Sequence, residues 1–291
     1  AAWLFAACTV IWGSTWLVIT YQLGVVAPEV SVVWRFLLAA VTLGVFCAAT
    51  GRSLRFSFRE HAMLVLQGTL MFCLNYILIY WAEQHIVSGL AAVAFSTITI
   101  MSVFAQRVTF GTPVTARALA GALMGVGGVV VLFYPEIAAS QGDHETTLGV
   151  TMALVATLCA AFGNMVAARV QHRNLAILPT TAWAMFYGAL AAAVVAAMFG
   201  ARWTFDLRLP YAVSLLYLSM FGTVVAFVSY LALMRTLGMA KASYVGVTTP
   251  VIALLLSAAF EGYRLTVFTI AGTALAIGGN LVVLRRRADL A

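Results

Sequence analysis

The chain of 291 residues is 64% hydrophobic and only 9% charged, and its mean hydropathy is +1.03. A soluble globular domain carries about 25% charged residues, so this composition excludes an ordinary water-soluble fold and indicates a protein solvated by lipid. The net charge of +7 is then a signal of membrane topology. No nucleic-acid partner is expected.

Ten largely charge-free segments follow one another along the chain. Each approaches the roughly 20 residues that a helix needs to cross a hydrocarbon core of about 30 Å. They lie at 3–22, 30–49, 61–82, 87–106, 118–134, 147–168, 175–200, 210–234, 242–260 and 265–284. Because a helix satisfies its own backbone hydrogen bonds and no alternating strand pattern is visible, the sequence predicts an all-α integral membrane protein in a lipid bilayer.

The loops between these segments differ in charge. With a cytoplasmic N-terminus, the inside loops and tail hold twelve of the sixteen basic residues, and seven of the nine acids lie outside. The inside residues are Arg52, Arg55, Arg59, Arg107, Arg117, Arg169, Arg173, Arg235, Lys241, Arg285, Arg286 and Arg287. This bias predicts a multi-pass protein of the bacterial inner membrane with both termini in the cytoplasm.

The two halves of the chain repeat each other. At an offset of 151 positions, five small or branched residues of the fifth segment match five of the tenth. The matched sets are Gly121, Val126, Gly127, Gly128, Val131 and Gly272, Ile277, Gly278, Gly279, Val282. The predicted units are residues 1–135 and 146–287. Because each unit has five spans, the second enters the membrane from the opposite face, and inverted repeats of this kind are typical of transporters.

Motifs for catalysis or cofactor binding are absent from the sequence. The four cysteines, Cys8, Cys47, Cys73 and Cys159, lie inside predicted spans and form no C-x-x-C pair. The four histidines are scattered at positions 61, 85, 144 and 172, and no phosphate-binding loop occurs. We therefore expect no catalytic residue, no metal site and no cofactor.

Several short motifs resemble one family. They are Trp12-Gly13-Ser14-Thr15, Trp34-Arg35-Phe36, Ala242-Ser243-Tyr244, Pro250, Glu261 and Thr266. In their order and in the repeat architecture they resemble the drug/metabolite transporter superfamily, and within it the ten-helix EamA-type exporters. The chain looks most similar to the bacterial aromatic amino acid exporters. The resemblance implies a central cavity lined by helices 1 to 4 and 6 to 9, with helices 5 and 10 at the periphery.

Arg35 is the one charged residue inside the ten segments. An arginine at the centre of a spanning helix costs roughly 2.5 to 3.5 kcal/mol on a translocon scale, so its presence needs a reason. One interpretation is that it reaches the outer headgroups or pairs with Glu29. Another is that it anchors a substrate carboxylate in the cavity, and a third is a structural contact between helices.

The third segment carries a polar and aromatic face of Asn75, Tyr76, Tyr80 and Glu83, with Trp81 beside it. An amide facing hydrocarbon would leave its hydrogen bonds unmet, so Asn75 is predicted to face another helix or a cavity. Tyr76, Tyr80 and Trp81 are candidate lining residues with it. An aromatic belt at the membrane interface is the alternative for Trp81.

The second half of the chain supplies candidate residues for the opposite side of the cavity. Its candidate lining residues are Asn164, Trp183, Tyr187, Ser229 and Tyr230. Aromatic rings with a few hydroxyls and amides suit amphipathic organic solutes, because rings stack and polar groups orient the ligand.

Helix defects mark candidate hinges. Pro250 removes a backbone donor in the middle of the ninth segment, and Gly13 and Gly163 are weak points in the first and sixth. A static kink is the alternative for Pro250. The glycines of the fifth and tenth segments predict close helix packing, within one chain or across a homodimer seam.

The leading functional hypothesis is an exporter of amino acids, including aromatic ones, and related small metabolites by alternating access. Facilitated transport is slightly favoured over proton coupling, because Glu83 and Glu261 lie only at span ends. Export of drugs or toxic cations is the alternative among transporters. An integral-membrane enzyme or a non-transporting membrane subunit is the alternative outside that class.

Overall fold

A computed structural model describes residues 2–111, 113–139, 144–171, 173, 175–237 and 244–288, and within these ranges the chain is helical and contains no strand. The helices are α1 (Ala2–Thr20), α2 (Pro28–Ala49), α3 (Phe58–Ala82), α4 (Ser88–Phe110), α5 (Ala116–Ala139), α6 (His144–Gln171), α7 (Ile177–Met198), α8 (209–237), α9 (Val245–Phe260) and α10 (Val267–Ala288). Eight are long and apolar enough to cross a membrane, and α9 and α10 contain shorter apolar stretches. The predicted all-α fold of ten helices is confirmed.

Several residues that carry the charge bias and the family motifs lie outside the described residues. They are Asp143, His172, Lys241, Ala242 and Ser243. Only the backbone is described for Arg235 and for the cluster Arg285, Arg286 and Arg287.

Local sequence signals explain where several helices begin and end. Pro28 occupies the first turn of α2, where a missing backbone donor costs nothing. α3 begins with a capping box, in which Ser57 accepts from the Glu60 backbone and the Glu60 side chain accepts from the Ser57 backbone. α4 ends at Gly111, whose φ of 68° is the left-handed conformation that glycine adopts without strain.

The helix bundle has two chemically different ends. We call the end formed by loops 50–57 and 111–115 the basic end, because Arg52, Arg55 and Arg117 lie in or beside these loops. The acidic end is formed by loops 21–27, 83–87, 199–208 and 261–266, and Glu83 and Glu261 lie there. The positive-inside bias predicts that the basic end faces the cytoplasm.

The apolar core lies between α2, α3 and α7. Phe36, Phe72 and Met185 are fully buried members of one cluster. Gly68 and Gly188 bring α3 and α7 into backbone contact, since a Cβ on Gly68 would fall 2.2 Å from the Ala184 carbonyl oxygen. α7 therefore packs closely behind α3.

α5 and α10 pack against each other through glycine. A Cβ on Gly128 would fall 2.6 Å from the Gly272 carbonyl oxygen, and one on Gly279 would fall 2.5 Å from the Gly121 carbonyl oxygen. Small residues four positions apart allow helix backbones to approach this closely. These four glycines are thus used in packing within the chain.

Three helices depart from regular α geometry. Each of α3 and α8 contains a π-helical turn, Thr69–Leu74 and Met220–Val225, and the two turns stand at the same offset of 151 as the sequence repeat. α4 is interrupted at Thr97, where the hydroxyls of Ser96 and Thr97 donate to carbonyls three residues earlier. Such hydroxyls compete with the helix's own hydrogen bonds.

The glycine contact yields a stability prediction. Gly272→Ala places its Cβ 2.6 Å from a backbone oxygen and a backbone nitrogen of α5, whereas Gly127→Ala meets no atom within 4 Å. Forcing an extra carbon into close packing costs about 1 to 3 kcal/mol. We expect Gly272→Ala to lower the apparent melting temperature in detergent by about 3 °C or more.

The control for that measurement is Gly127→Ala, which gives the same gain in helix propensity without the contact. We expect it to leave the melting temperature unchanged or slightly raised. Equal melting temperatures for the two variants would contradict the packing of α5 on α10.

Candidate functional site

A cavity of about 760 Å³ opens along the bundle. At the basic end its lining includes Gln106, Pro113 and Thr115, and toward the acidic end it reaches Ile19 and Ile79. Among the described residues, none in the acidic-end loops lines it. The cavity is thus continuous with the basic end and closed at the other.

Seven aromatic side chains contribute to the cavity wall. Trp12 lies edge-on to Phe227 with the ring centroids 5.7 Å apart, and Trp16 packs against Phe95 at 5.3 Å. The aromatic lining residues are Trp12, Trp16, Phe72, Tyr76, Phe95, Phe227 and Tyr230. A wall of this kind offers flat apolar surfaces on which a ring can stack.

Arg35 is the only charged side chain among the described residues that line this cavity. It is 1% exposed. Its guanidinium carbon lies 4.6 Å from the centroid of the Tyr76 ring, and one terminal nitrogen donates to the Tyr80 hydroxyl at 3.4 Å. Its Nε has no hydrogen-bond partner. Arg35 thus places a buried cation at the cavity wall, a geometry suited to an anionic group, while its Nε is enclosed by protein atoms.

The location of Arg35 argues against one of the three interpretations left open by the sequence, in which it reaches the headgroups or pairs with Glu29. A side chain buried to this degree does not reach the headgroups. Glu29, the suggested partner, instead accepts a hydrogen bond from Trp81 Nε1 at 2.8 Å. No described carboxylate forms a salt bridge with Arg35, whose anchoring and structural interpretations both stay open.

Four of the other predicted lining residues also reach the cavity. Asn75 and Tyr76 come from α3, Asn164 from α6 and Tyr230 from α8. Asn75 donates from Nδ2 to the Met71 carbonyl, and its buried Oδ1 has no partner. Asn75 thus lines the cavity, while its Oδ1 is enclosed without a partner.

Trp183 and Tyr187 were predicted to line the cavity, but they lie elsewhere. Trp183 Nε1 donates to the Leu54 carbonyl at 2.9 Å, and the Tyr187 hydroxyl lies 2.9 Å from His61 Nδ1. All of α7 is described, and none of it lines the cavity. The physical reason is the glycine contact, which seats α7 behind α3.

Tyr80 and Trp81 also lie outside the lining. The Tyr80 ring is fully buried beyond the end of the cavity, and its hydroxyl donates to Gln22 Oε1 at 2.7 Å. Trp81 is turned to the acidic end by its bond with Glu29. Ser229, half-buried on α8, is not part of the lining either.

Of the three candidate hinges, only Pro250 lines the cavity. Gly13 packs against Ile252, and Gly163 packs against Met71 beside the π-helical turn of α3. Both glycines thus mark tight contacts between helices.

Polar contacts close the acidic end. Glu261 accepts from the backbone and the hydroxyl of Ser88, which joins the α9–α10 loop to α4. His85, in the loop after α3, pairs with Glu145 on α6. In the 199–208 loop, hydrogen bonds from Arg208 hold the pKa of Asp206 below its usual value.

Glu83 follows the last residue of α3 at this end and differs from its neighbours. It is 8% exposed, and neither of its carboxyl oxygens has a hydrogen-bond partner. Its position at a span end was predicted, but its burial was not, because nothing in the sequence shows how the loops fold over it.

Over the described part of the chain, no group of three potential ligands is placed to hold a metal ion.

Sequence reasoning missed Trp12 as an individual candidate, together with Trp16 and Phe95. Trp12 and Trp16 are one helical turn apart on α1, a spacing that was available as a signal. For Phe95 on apolar α4, no sequence signal separates a lining residue from a lipid-facing one.

Comparisons with known proteins show which family the chain is similar to. Residues 1–134 and 147–285 each match the EamA-like transporter family. The chain is 28% identical over 267 residues to the uncharacterized inner membrane transporter YedA of Escherichia coli strain K12, covering 89% of this chain and 82% of the relative. It is 24% identical to the uncharacterized transporter YoaV of Bacillus subtilis, covering 84% and 83%.

A solved crystal structure shares the fold. It superimposes with a TM-score of 0.67 over 98% of this chain and 97% of that one, at 18% sequence identity. With the family match and the apolar helices, these relatives identify a multi-pass inner membrane transporter.

The cavity yields a labelling prediction. Ser102→Cys faces the cavity, whereas Ser214→Cys is 3% exposed on α8 and lies outside the lining. In a background without the four native cysteines, we expect a charged water-soluble thiol reagent to modify Ser102→Cys about tenfold faster or more, because only a hydrated thiol ionises readily. Mass spectrometry gives the rates, and equal rates would contradict a hydrated cavity.

Proposed function

The chain belongs to the EamA-like transporter family, and we propose that it exports amino acids, including aromatic ones, and related small metabolites by alternating access. The observation that carries the proposal is the cavity of about 760 Å³ with aromatic walls and one buried arginine. Cavities of about 300 to 1,000 Å³ with apolar walls and a few placed polar groups are typical sites for small organic molecules.

Arg35 supports a carboxylate as the common feature of the substrates. Its guanidinium carries a positive charge in an apolar setting, and its Nε is unpartnered. A charge-assisted hydrogen bond from the guanidinium to a carboxylate would offset the cost of burying the cation. The rings of Trp12, Trp16 and Phe95 supply stacking surface for an apolar side chain.

The same charge argues against the alternative of toxic cations. No acid occurs among the described lining residues, so a cation would meet the repulsion of Arg35 with no carboxylate to offset it. Cation–π attraction contributes about 0.5 to 2 kcal/mol per contact, which is small against burying a ligand charge without a counter-ion.

The open basic end supports the direction of transport. If that end faces the cytoplasm, as the positive-inside bias predicts, the conformation admits substrate from the cytoplasm. Inverted repeats would then close the basic end and open the acidic end by rocking about the site. Pro250, at the cavity wall, is the hinge we propose for this motion. At Gly13 and Gly163, where helices are in close contact, the helices would slide past each other.

The decisive experiment is uptake into liposomes that contain only the purified protein. A panel of labelled amino acids is tested with and without an imposed pH gradient. Protein-dependent flux without the gradient establishes facilitated amino acid transport, and flux only with it establishes proton coupling. No flux in either condition contradicts amino acids as substrates and favours drugs or other metabolites.

Arg35 provides the residue-level prediction. A hydrogen bond to a charged group contributes about 1.5 to 3 kcal/mol, so we expect Arg35→Gln to raise the KM for phenylalanine about 10- to 100-fold. Competition by the carboxamide analogue, which lacks the negative charge, should change less than about twofold. Arg202→Gln, in the exposed 199–208 loop, serves as the control. An equal loss for both solutes would show a structural role for Arg35.

A further inference from the structure

The acidic end holds an acid that the proposed transport cycle has not used. Glu83 lies one helical turn beyond Ile79, the last residue of α3 that lines the cavity. The carboxyl group is buried and has no hydrogen-bond partner. An ionised carboxylate buried without partners is strongly unfavourable, so a group in this position tends to bind a proton.

The charged and titratable groups that act on Glu83 come from three elements. Glu261 approaches from the α9–α10 loop, Arg35 from α2, and Tyr80 lies one turn earlier on α3. The next acid–base pair, His85 with Glu145, is more exposed. Among the described groups that act on Glu83, Arg35 is the one cation.

Burial raises the pKa of the Glu83 carboxyl well above its usual value, the Glu261 carboxylate raises it further, and Arg35 lowers it. A ligand that neutralises the charge of Arg35 therefore raises the proton affinity of Glu83. Arg35 also lines the cavity. One guanidinium consequently serves both the cavity and the buried acid.

We infer that Arg35 and Glu83 form a proton-linked site for carboxylate-bearing solutes, in which binding of the solute carboxylate to Arg35 is accompanied by protonation of Glu83. This inference rests on the proposed function and names the chemical feature that its substrates share. The proton comes from solvent and no covalent bond changes. With the cavity empty, Arg35 stabilises the ionised form of Glu83; with a carboxylate bound, two anions compete for one cation and one of them is neutralised.

The direction of the pH dependence follows from linkage. The pKa of Glu83 is higher in the occupied state than in the empty state, so the occupied state binds more protons. Carboxylate affinity is therefore highest below the empty-state pKa, falls as the pH rises between the two pKa values, and is lowest above the occupied-state pKa. Within that window the affinity changes up to about tenfold per pH unit.

The probes for the test are 3-phenylpropionate and its carboxamide, because neither titrates between about pH 6 and pH 9. Binding to the purified full-length protein is measured by calorimetry across that range. We expect the carboxylate to bind more weakly as the pH rises and the carboxamide to vary less than about twofold. In Glu83→Gln, which mimics the protonated acid, carboxylate affinity should stay at the low-pH value throughout.

Two variants serve as controls. Glu29→Gln removes another buried acid of the acidic end, one already bonded to Trp81, and His85→Gln removes the neighbouring titratable pair. Both should retain the pH dependence of the wild-type protein. Its loss in either would assign the linkage to that residue and overturn the assignment to Glu83.

Infrared spectroscopy of the wild-type protein tests the same point without depending on the folding of a variant. The carbonyl band of a protonated buried carboxyl should titrate, and 3-phenylpropionate should move its midpoint to higher pH. An unmoved midpoint, a pH-independent affinity or no binding of 3-phenylpropionate would each overturn the inference. The liposome assay decides amino acid export separately, so failure of one proposal is distinguishable from failure of the other.

Discussion

A buried arginine inside a lipid-solvated bundle has to find its partners within the protein, since neither lipid nor bulk water is available to solvate it. The Arg35 guanidinium meets this constraint mainly through residues of α3. It lies over Tyr76 and donates to Tyr80 on α3, and the Arg35 carbonyl accepts from Ser219 on α8. Arg35 also lines the cavity, so the chemistry of the site follows from the way this charge is accommodated.

The same constraint explains the difference between the two ends of the cavity. Beyond Arg35, Tyr80 bonds to Gln22 and fills the bundle, while the Ser88–Glu261 contact ties α4 to the α9–α10 loop. At the basic end the lining continues through Ser102 and Gln106 to the loop after α4. Polar groups at the closed end bond mainly to each other, and those at the open end are left for water or solute.

Composition and periodicity were sufficient for the ten helices, because an apolar stretch of about 20 residues without charge is typical of a helix that spans a membrane. Asn75 and Asn164 were identified for a related reason, since an amide in mid-membrane must avoid lipid. Trp183 was misplaced because an aromatic ring suits a cavity, a core and an interface equally. Its position depends on the contact of Gly68 with Gly188, which no local pattern reveals.

Alternating access requires that some helices deform while others keep the bundle together. The four-glycine contact of α5 and α10 is continuous and regular, whereas the π-helical turns of α3 and α8 border the cavity at Met71 and Gly222. π-helical turns interrupt the regular hydrogen-bond ladder and are frequent at functional sites.

The fourth helix of each repeat deviates as well. In the first repeat α4 breaks at Thr97, and 151 positions later, close to Thr248, the second repeat carries Pro250. Proline frees the carbonyl one turn earlier, that of Gly246, while hydroxyl back-bonding weakens the helix near Thr97. The two halves thus place a weak point at matching positions by different chemistry. In the alternating-access proposal, bending is therefore expected at α4 and α9 together, although only one of them contains a proline.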